Sequence, residues 1–209
     1  MGAEHIVRDE EPIRLFESDF LEFFTHIHPA VVVVIWLPVA VYALVRAVLD
    51  ERLGIGGLIV GVLAGLFVWT FVEYTLHRFV FHFKARTPRQ ERLSFLFHGV
   101  HHAQPQSKTR LVMPPAVSVP LGLVFYGLFH LVIGRLLGAP AWIAPVFAGF
   151  IVGYLAYDLT HYATHHFRVR RGYFKMVRKH HWQHHIQTPN QRFGVSSPLW
   201  DYVFGTEPS

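Results

Sequence analysis

Four stretches of this chain are too long and too apolar for a small water-soluble domain, and they decide what it can fold into. Residues 30–49, 53–74, 115–133 and 140–159 are each almost free of charge. At about 1.5 Å of rise per residue, roughly twenty residues cross the hydrocarbon core of a bilayer as a helix. The chain is 52% hydrophobic and only 16% charged over 209 residues, so composition favours the membrane class. Its length suits one domain, residues 1–209. Arg46, near the end of the first run, can reach the headgroup layer along its own aliphatic stem, and Asp50-Glu51-Arg52 then makes a tight turn. In the second run Gly57, Gly61 and Gly65 fall four apart, a ridge of small residues that lets another helix approach closely.

The formal net charge is +5, but the basic residues are not spread for nucleic acid. They gather in two segments beside the apolar runs: Lys84, Arg86, Arg89, Arg92, Lys108 and Arg110 in one, Arg168, Arg170, Arg171, Lys175, Arg178 and Lys179 in the other. A membrane surface is the expected partner and nucleic acid is not. The turns on the opposite side carry only Arg52 and Arg135, so the positive-inside rule puts both basic segments and both termini in the cytoplasm. The membrane is then a cell inner membrane or the endoplasmic reticulum.

The N-terminus has no basic stretch ahead of an apolar core, so no signal peptide is expected. Met1-Gly2 is followed by Ile6 where N-myristoylation wants Ser or Thr. Leu15, Phe16, Phe20, Leu21, Phe23 and Phe24 form an interfacial entry segment in which Ser18 or Asp19 can cap a short helix.

Most of the histidines lie in or beside the two basic segments. Cysteine is absent, so disulfides and thiolate ligands are excluded and every soft-nitrogen ligand must be an imidazole. His161 and His165 stand at i, i+4; His98, His101 and His102, like His181, His184 and His185, stand at i, i+3, i+4, so each helical set projects from one face. His77 and His82 are five apart, about 140° around a regular helix, so the chain must break there or pass tangentially over the site. An incidental histidine tract does not keep this spacing across four segments. A structural zinc site needs four ligands, and ten are present, enough for two metals with about five imidazoles each and a coordination position left open. A metal carrier or transporter would need polar residues inside the spans, which are almost purely apolar.

His166 and His180 fall outside the spacing and are supporting or neutral. His26 and His28 are read as surface or interfacial, and His130, at the far end of the third run, is set aside. Asp158, three positions before His161, and Glu73, one turn before His77, are candidate acceptors for a ligand's second N–H.

Several strings then carry a resemblance: Glu73-Tyr74-Thr75-Leu76-His77-Arg78-Phe79, His98-Gly99-Val100-His101-His102, Arg110-Leu111-Val112-Met113-Pro114-Pro115, Tyr157-Asp158-Leu159-Thr160-His161, Phe193-Gly194-Val195-Ser196 and Trp200-Asp201-Tyr202. With the histidine boxes, the chain resembles the fatty acid hydroxylase and sterol desaturase superfamily, and within it the fatty acid 2-hydroxylases. The resemblance implies an all-α integral membrane protein, four transmembrane helices under a cytoplasmic, helical, histidine-rich cap. It implies two iron ions, with zinc able to replace them on purification, and O2 as co-substrate. The ligands would be His77, His82, His98, His101, His102, His161, His165, His181, His184 and His185. The implied reaction is hydroxylation of a lipid acyl chain at C2. A sterol or carotenoid hydroxylase or a desaturase is the alternative within the superfamily, and a metal carrier is the alternative outside enzymes. Many eukaryotic members carry a cytochrome b5 domain ahead of the first span; the segment before Ala30 is too short for one, so an external cytochrome b5-like or ferredoxin-like donor is expected.

Overall fold

The computed structural model describes residues 11–50 and 52–208, and all regular structure among them is helical. The Met1-Gly2 start and Glu51 of the expected turn lie outside the described residues. The helices are α1 (Asp19–Phe23), α2 (Pro29–Leu49), α3 (Gly54–Thr75), α4 (Pro88–Ser94), α5 (Val100–Ala103), α6 (Pro115–Phe129), α7 (Ile143–His166), α8 (Gly172–Ile186) and α9 (Leu199–Val203). Four continuous helical segments are long and apolar enough to cross a membrane: Pro29–Leu49, Gly54–Phe81, Pro115–Leu136 and Pro140–His166. Their outward faces, such as Val34, Val41, Leu63, Phe67 and Leu123, are exposed, as lipid-facing residues must be.

α7 is the central helix. It packs against α3 through glycines that leave no room for a side chain: a Cβ on Gly65 would lie 2.0 Å from the Val146 carbonyl oxygen, and one on Gly149 would lie 2.0 Å from that of Val62. Gly61 meets the ring of Pro145 and Gly153 meets Trp69. The expected ridge therefore begins at Gly61, because Gly57 faces only Leu53 of its own chain segment. Trp69 fills the seam, with its ring centroid 5.0 Å from Phe150 and 5.2 Å from Tyr154. On the other side α2 presents Trp36 and the small residues Ala40, Ala43 and Ala47. Trp36 donates from Nε1 to Ser118 Oγ of α6 at 3.2 Å, and its ring lies over Gly122.

Three of the four long segments run further than the apolar pattern suggests. The fourth continues to His166, so His161 and His165 stand on the membrane-spanning helix itself. The second continues as a π-helical turn, Leu76–Phe81, and the third as another, His130–Leu136. The chain therefore does not break between His77 and His82. His82 N donates to His77 O at 3.0 Å, an i to i+5 bond that stacks residues five apart on one face and brings the two rings to 4.9 Å. Ser18 occupies the N-cap position of α1 but makes no side-chain capping bond.

A candidate metal centre

Helical extensions and short helices converge at one end of the bundle, and all ten predicted histidines meet there in two groups of five. His77, His82, His98, His102 and His184 form one; His101, His161, His165, His181 and His185 form the other. Within each, one nitrogen per ring lies within 4.8 Å of every other. The two groups abut, with the rings of His102 and His185 stacked at 4.1 Å. The i and i+4 members of each HxxHH box, His98 with His102 and His181 with His185, go to the same group, whereas the i+3 members, His101 and His184, cross to the other. On a helix, i+3 and i+4 point about 100° apart, so α5 and α8 each pass between the groups and serve both.

The donor chemistry suits a cation. Nε2 atoms face one another at 2.9 Å in the pairs His77–His98, His101–His161 and His165–His181, and at 3.1 Å from His184 to both His82 and His102. Two nitrogens about 2.1 Å from a shared ion stand at most about 4.2 Å apart, so each group needs to draw in by only a few tenths of an ångström. The imidazoles outside the spans are held neutral. Burial first, then neighbouring imidazoles, pushes His82 and His102 down to about 3; burial also brings His184 down to about 4 against the opposing pull of the Gln191 carbonyl. His98, His101, His181 and His185 are driven well below the ordinary histidine value by the same causes. A neutral ring keeps the lone pair that ligation needs.

Two of the second N–H groups, both in the group that contains His77, are fixed by backbone carbonyls rather than by the carboxylates the spacing suggested, whereas Nδ1 of all five histidines of the other group is buried without a partner among the described residues. His77 Nδ1 donates to the Phe193 carbonyl at 2.5 Å and His184 Nδ1 to that of Gln191 at 2.7 Å. Glu73 is buried, but it accepts from Val195 N at 2.7 Å, Ser196 N at 2.6 Å and the Ser196 hydroxyl rather than from an imidazole. Asp158 is buried beside His161 and accepts from Met113 N at 3.3 Å, which ties the segment before α6 to α7. Both acids hold loops that wall the site.

A third acid, Asp201 of the string Trp200-Asp201-Tyr202, does the same, a role its position in the sequence does not suggest. Asp201, wholly buried, accepts from Phe193 N and Gly194 N at 2.8 Å each and from Thr206 Oγ1 at 2.7 Å, and lies 3.1 Å from His180 Nε2. Burial alone would raise its carboxyl, but these bonds hold it low. His180 is thus a support, bracketed by Asp201 and, through Nδ1, by Glu207. His166 packs on Tyr162 and His130 bonds to the Tyr126 carbonyl, both apart from the groups. His28 caps α2, while His26, read as a surface residue, is half-buried against Thr109 and Arg110. An apolar cavity of about 340 Å³ opens beside His98, His101 and His161, walled by Phe97, Val112, Met113 and the N-terminal segment.

A sequence profile described as fatty acid hydroxylase matches residues 62–206. Dihydroceramide fatty acyl 2-hydroxylase FAH1 of Arabidopsis thaliana is 38% identical over 97% of this chain and 83% of its own length. Fatty acid 2-hydroxylase of Mus musculus is 36% identical over 93% of this chain and 56% of its own. The solved structure titled full length scs7p, in which only the hydroxylase domain is visible, superposes with a TM-score of 0.82 at 37% identity, covering 91% of this chain and 70% of that one. The matched profile spans more than half of the sequence, and the chain belongs to the fatty acid hydroxylase family.

Proposed function

We propose that the ten imidazoles hold two metal ions, iron in the active state, and that the chain, acting as one hydroxylase domain, hydroxylates a lipid acyl chain at C2. The observation that carries this reading is the pair of five-imidazole groups abutting an apolar cavity. It is supported by relatives named as dihydroceramide and fatty acid 2-hydroxylases. The overall reaction takes one CH2, one O2, two electrons and two protons to one CHOH and one water. Bound iron supplies the reductive activation of O2 that an unactivated C–H bond requires, which zinc cannot.

The protein's own part is placement. The carbonyls of Phe193 and Gln191 fix the protonated Nδ1 of His77 and His184, so their Nε2 lone pairs point inward. The cavity takes up apolar chain and excludes water from the reacting carbon. Exposed Lys84, Arg86, Arg89 and Arg92, between His82 and His98 in the chain, and exposed Lys175 and Lys179 on α8, which carries His181, His184 and His185, suit an acidic electron donor of the cytochrome b5 or ferredoxin kind. We place this basic face in the cytoplasm, by the excess of Lys and Arg on that side.

Lipid mass spectrometry of a host without such hydroxylases tests the reading. Expression of the chain beside a reductant should yield 2-hydroxy acyl lipids, and His161→Ala or His184→Ala should abolish them while the spans still insert. Hydroxylation confined to rings or remote carbons would refute it.

A further inference from the structure

One cation stands in the wall of the apolar cavity. Arg110 lines the same cavity as His98, His101 and His161, and its side chain is 2% exposed. Nη2 donates to Glu22 Oε1 at 2.5 Å and lies 2.9 Å from His26 Nε2. Nε and Nη1, both buried, have no partner among the described residues. A clasp between the N-terminal segment and the segment before α6 explains Nη2 alone. Buried donors without acceptors cost free energy that an arriving acceptor returns, and because Arg110 lines the cavity, a small turn of its side chain would offer these two N–H groups to a polar group of the ligand.

The Glu22 carboxylate already offsets the guanidinium charge, and a second carboxylate would be set beside the first. The free donors therefore suit a neutral acceptor, and the strongest neutral acceptor on an amide- or ester-linked acyl chain is its carbonyl oxygen. We propose that Arg110 holds the acyl carbonyl oxygen of the lipid through Nε or Nη1 and thereby makes C2 the carbon presented to the histidines. The proposal rests on the 2-hydroxylation reading. C2 is bonded directly to the carbonyl carbon, so one fixed oxygen confines it, whereas C3 and the carbons beyond turn about successive free bonds.

The test uses Arg110→Met, similar in length but without donors, and Arg110→Lys, which keeps a charge beside Glu22. Purified variants are compared with the wild type for metal content, for KM and kcat on a dihydroceramide, and for the position of the new hydroxyl. Binding of the same dihydroceramide to zinc-loaded, inert protein gives a readout independent of turnover. Arg110→Met should retain both metals, bind about tenfold more weakly, raise KM more than it lowers kcat, and spread the hydroxyl from C2 to C3. Arg110→Lys should recover part of the affinity.

In the wild type a free fatty acid should be a poorer substrate than the amide-linked chain, and Glu22→Gln should narrow that gap. A folded, metal-loaded Arg110→Met with unchanged affinity and hydroxylation at C2 alone would overturn the proposal. Should that variant not accumulate, wild-type affinity and regiochemistry in Arg110→Lys would do so. Failure of the underlying reading looks different: the wild type would then make no 2-hydroxy product.

Discussion

The Phe193 carbonyl accepts the Nδ1 proton of His77 at 2.5 Å, joining the end of the second long helix to a loop 116 positions later. That loop is hung from two buried carboxylates, Glu73 through Val195 N and Ser196 N and Asp201 through Phe193 N and Gly194 N. Neither carboxylate touches a histidine of the two groups, yet both set where the acceptor for His77 lies. Asp201→Asn is expected to weaken metal binding on the order of tenfold to a hundredfold, chiefly in the group that contains His77. Competition with a metal chelator measures it, and unchanged affinity would detach the loop from the metal site.

Close approach of α3 and α7 makes a sharper mechanical prediction. Gly65→Ala and Gly149→Ala each drive a Cβ into a backbone oxygen 2.0 Å away and should lower the melting temperature in detergent. Gly127→Ala has open space around it and should not, since alanine is the better helix former. Equal melting for all three would mean that the helices are not packed this way.

The histidine spacing made the site legible before any fold was known, because ligands must project from a few helical faces and i, i+3 and i+4 do so. It did not reveal which histidine joins which group, since the assignment depends on α5 and α8 passing between them. The His77–His82 pair departs from the expected break for a physical reason: regular helical periodicity separates residues five apart, and only the wider π turn aligns them. Glu73 and Asp158 stand near histidines in sequence, which suggested imidazole partners, but their partners are the backbone amides of Val195, Ser196 and Met113. No side-chain pattern encodes such bonds, and Asp201, which stands in one of the strings that carry the resemblance, likewise has no spacing to the histidine boxes that would mark its bonds to Phe193 N and Gly194 N.

Acid should destabilise the metal-free protein. His82 and His102 titrate at about 3 and His184 at about 4 when folded, below the value near 6.5 of an unfolded imidazole. Between these values the unfolded chain binds more protons, so stability falls as pH drops through that window, by on the order of 1 kcal/mol per pH unit for each such group, and is flat above it. Bound metal should move the loss to lower pH and be released as the imidazoles protonate. Melting temperatures across pH, with and without metal, report both effects; a metal-free protein equally stable at pH 4 and pH 7 would contradict the buried, neutral state.

Orientation is testable because the chain has no cysteine. Single cysteines at Arg52 and Arg135 should react with an impermeant reagent from outside intact cells, and one at Lys108 should not. The reverse labelling would invert the proposed topology.

In the proposed reaction one oxygen atom from O2 enters the acyl chain next to its carbonyl, at a site where the ten imidazoles would hold two metal ions. Iron-loaded protein, reductant and a dihydroceramide supplied with isotopically heavy O2 test it most directly, read by fragmentation mass spectrometry of the product. The heavy oxygen should appear as a hydroxyl on C2 of the acyl chain, and should be absent from the product of His184→Ala. A product that has lost two hydrogens without gaining oxygen, or label only on remote carbons, would rule out hydroxylation at C2.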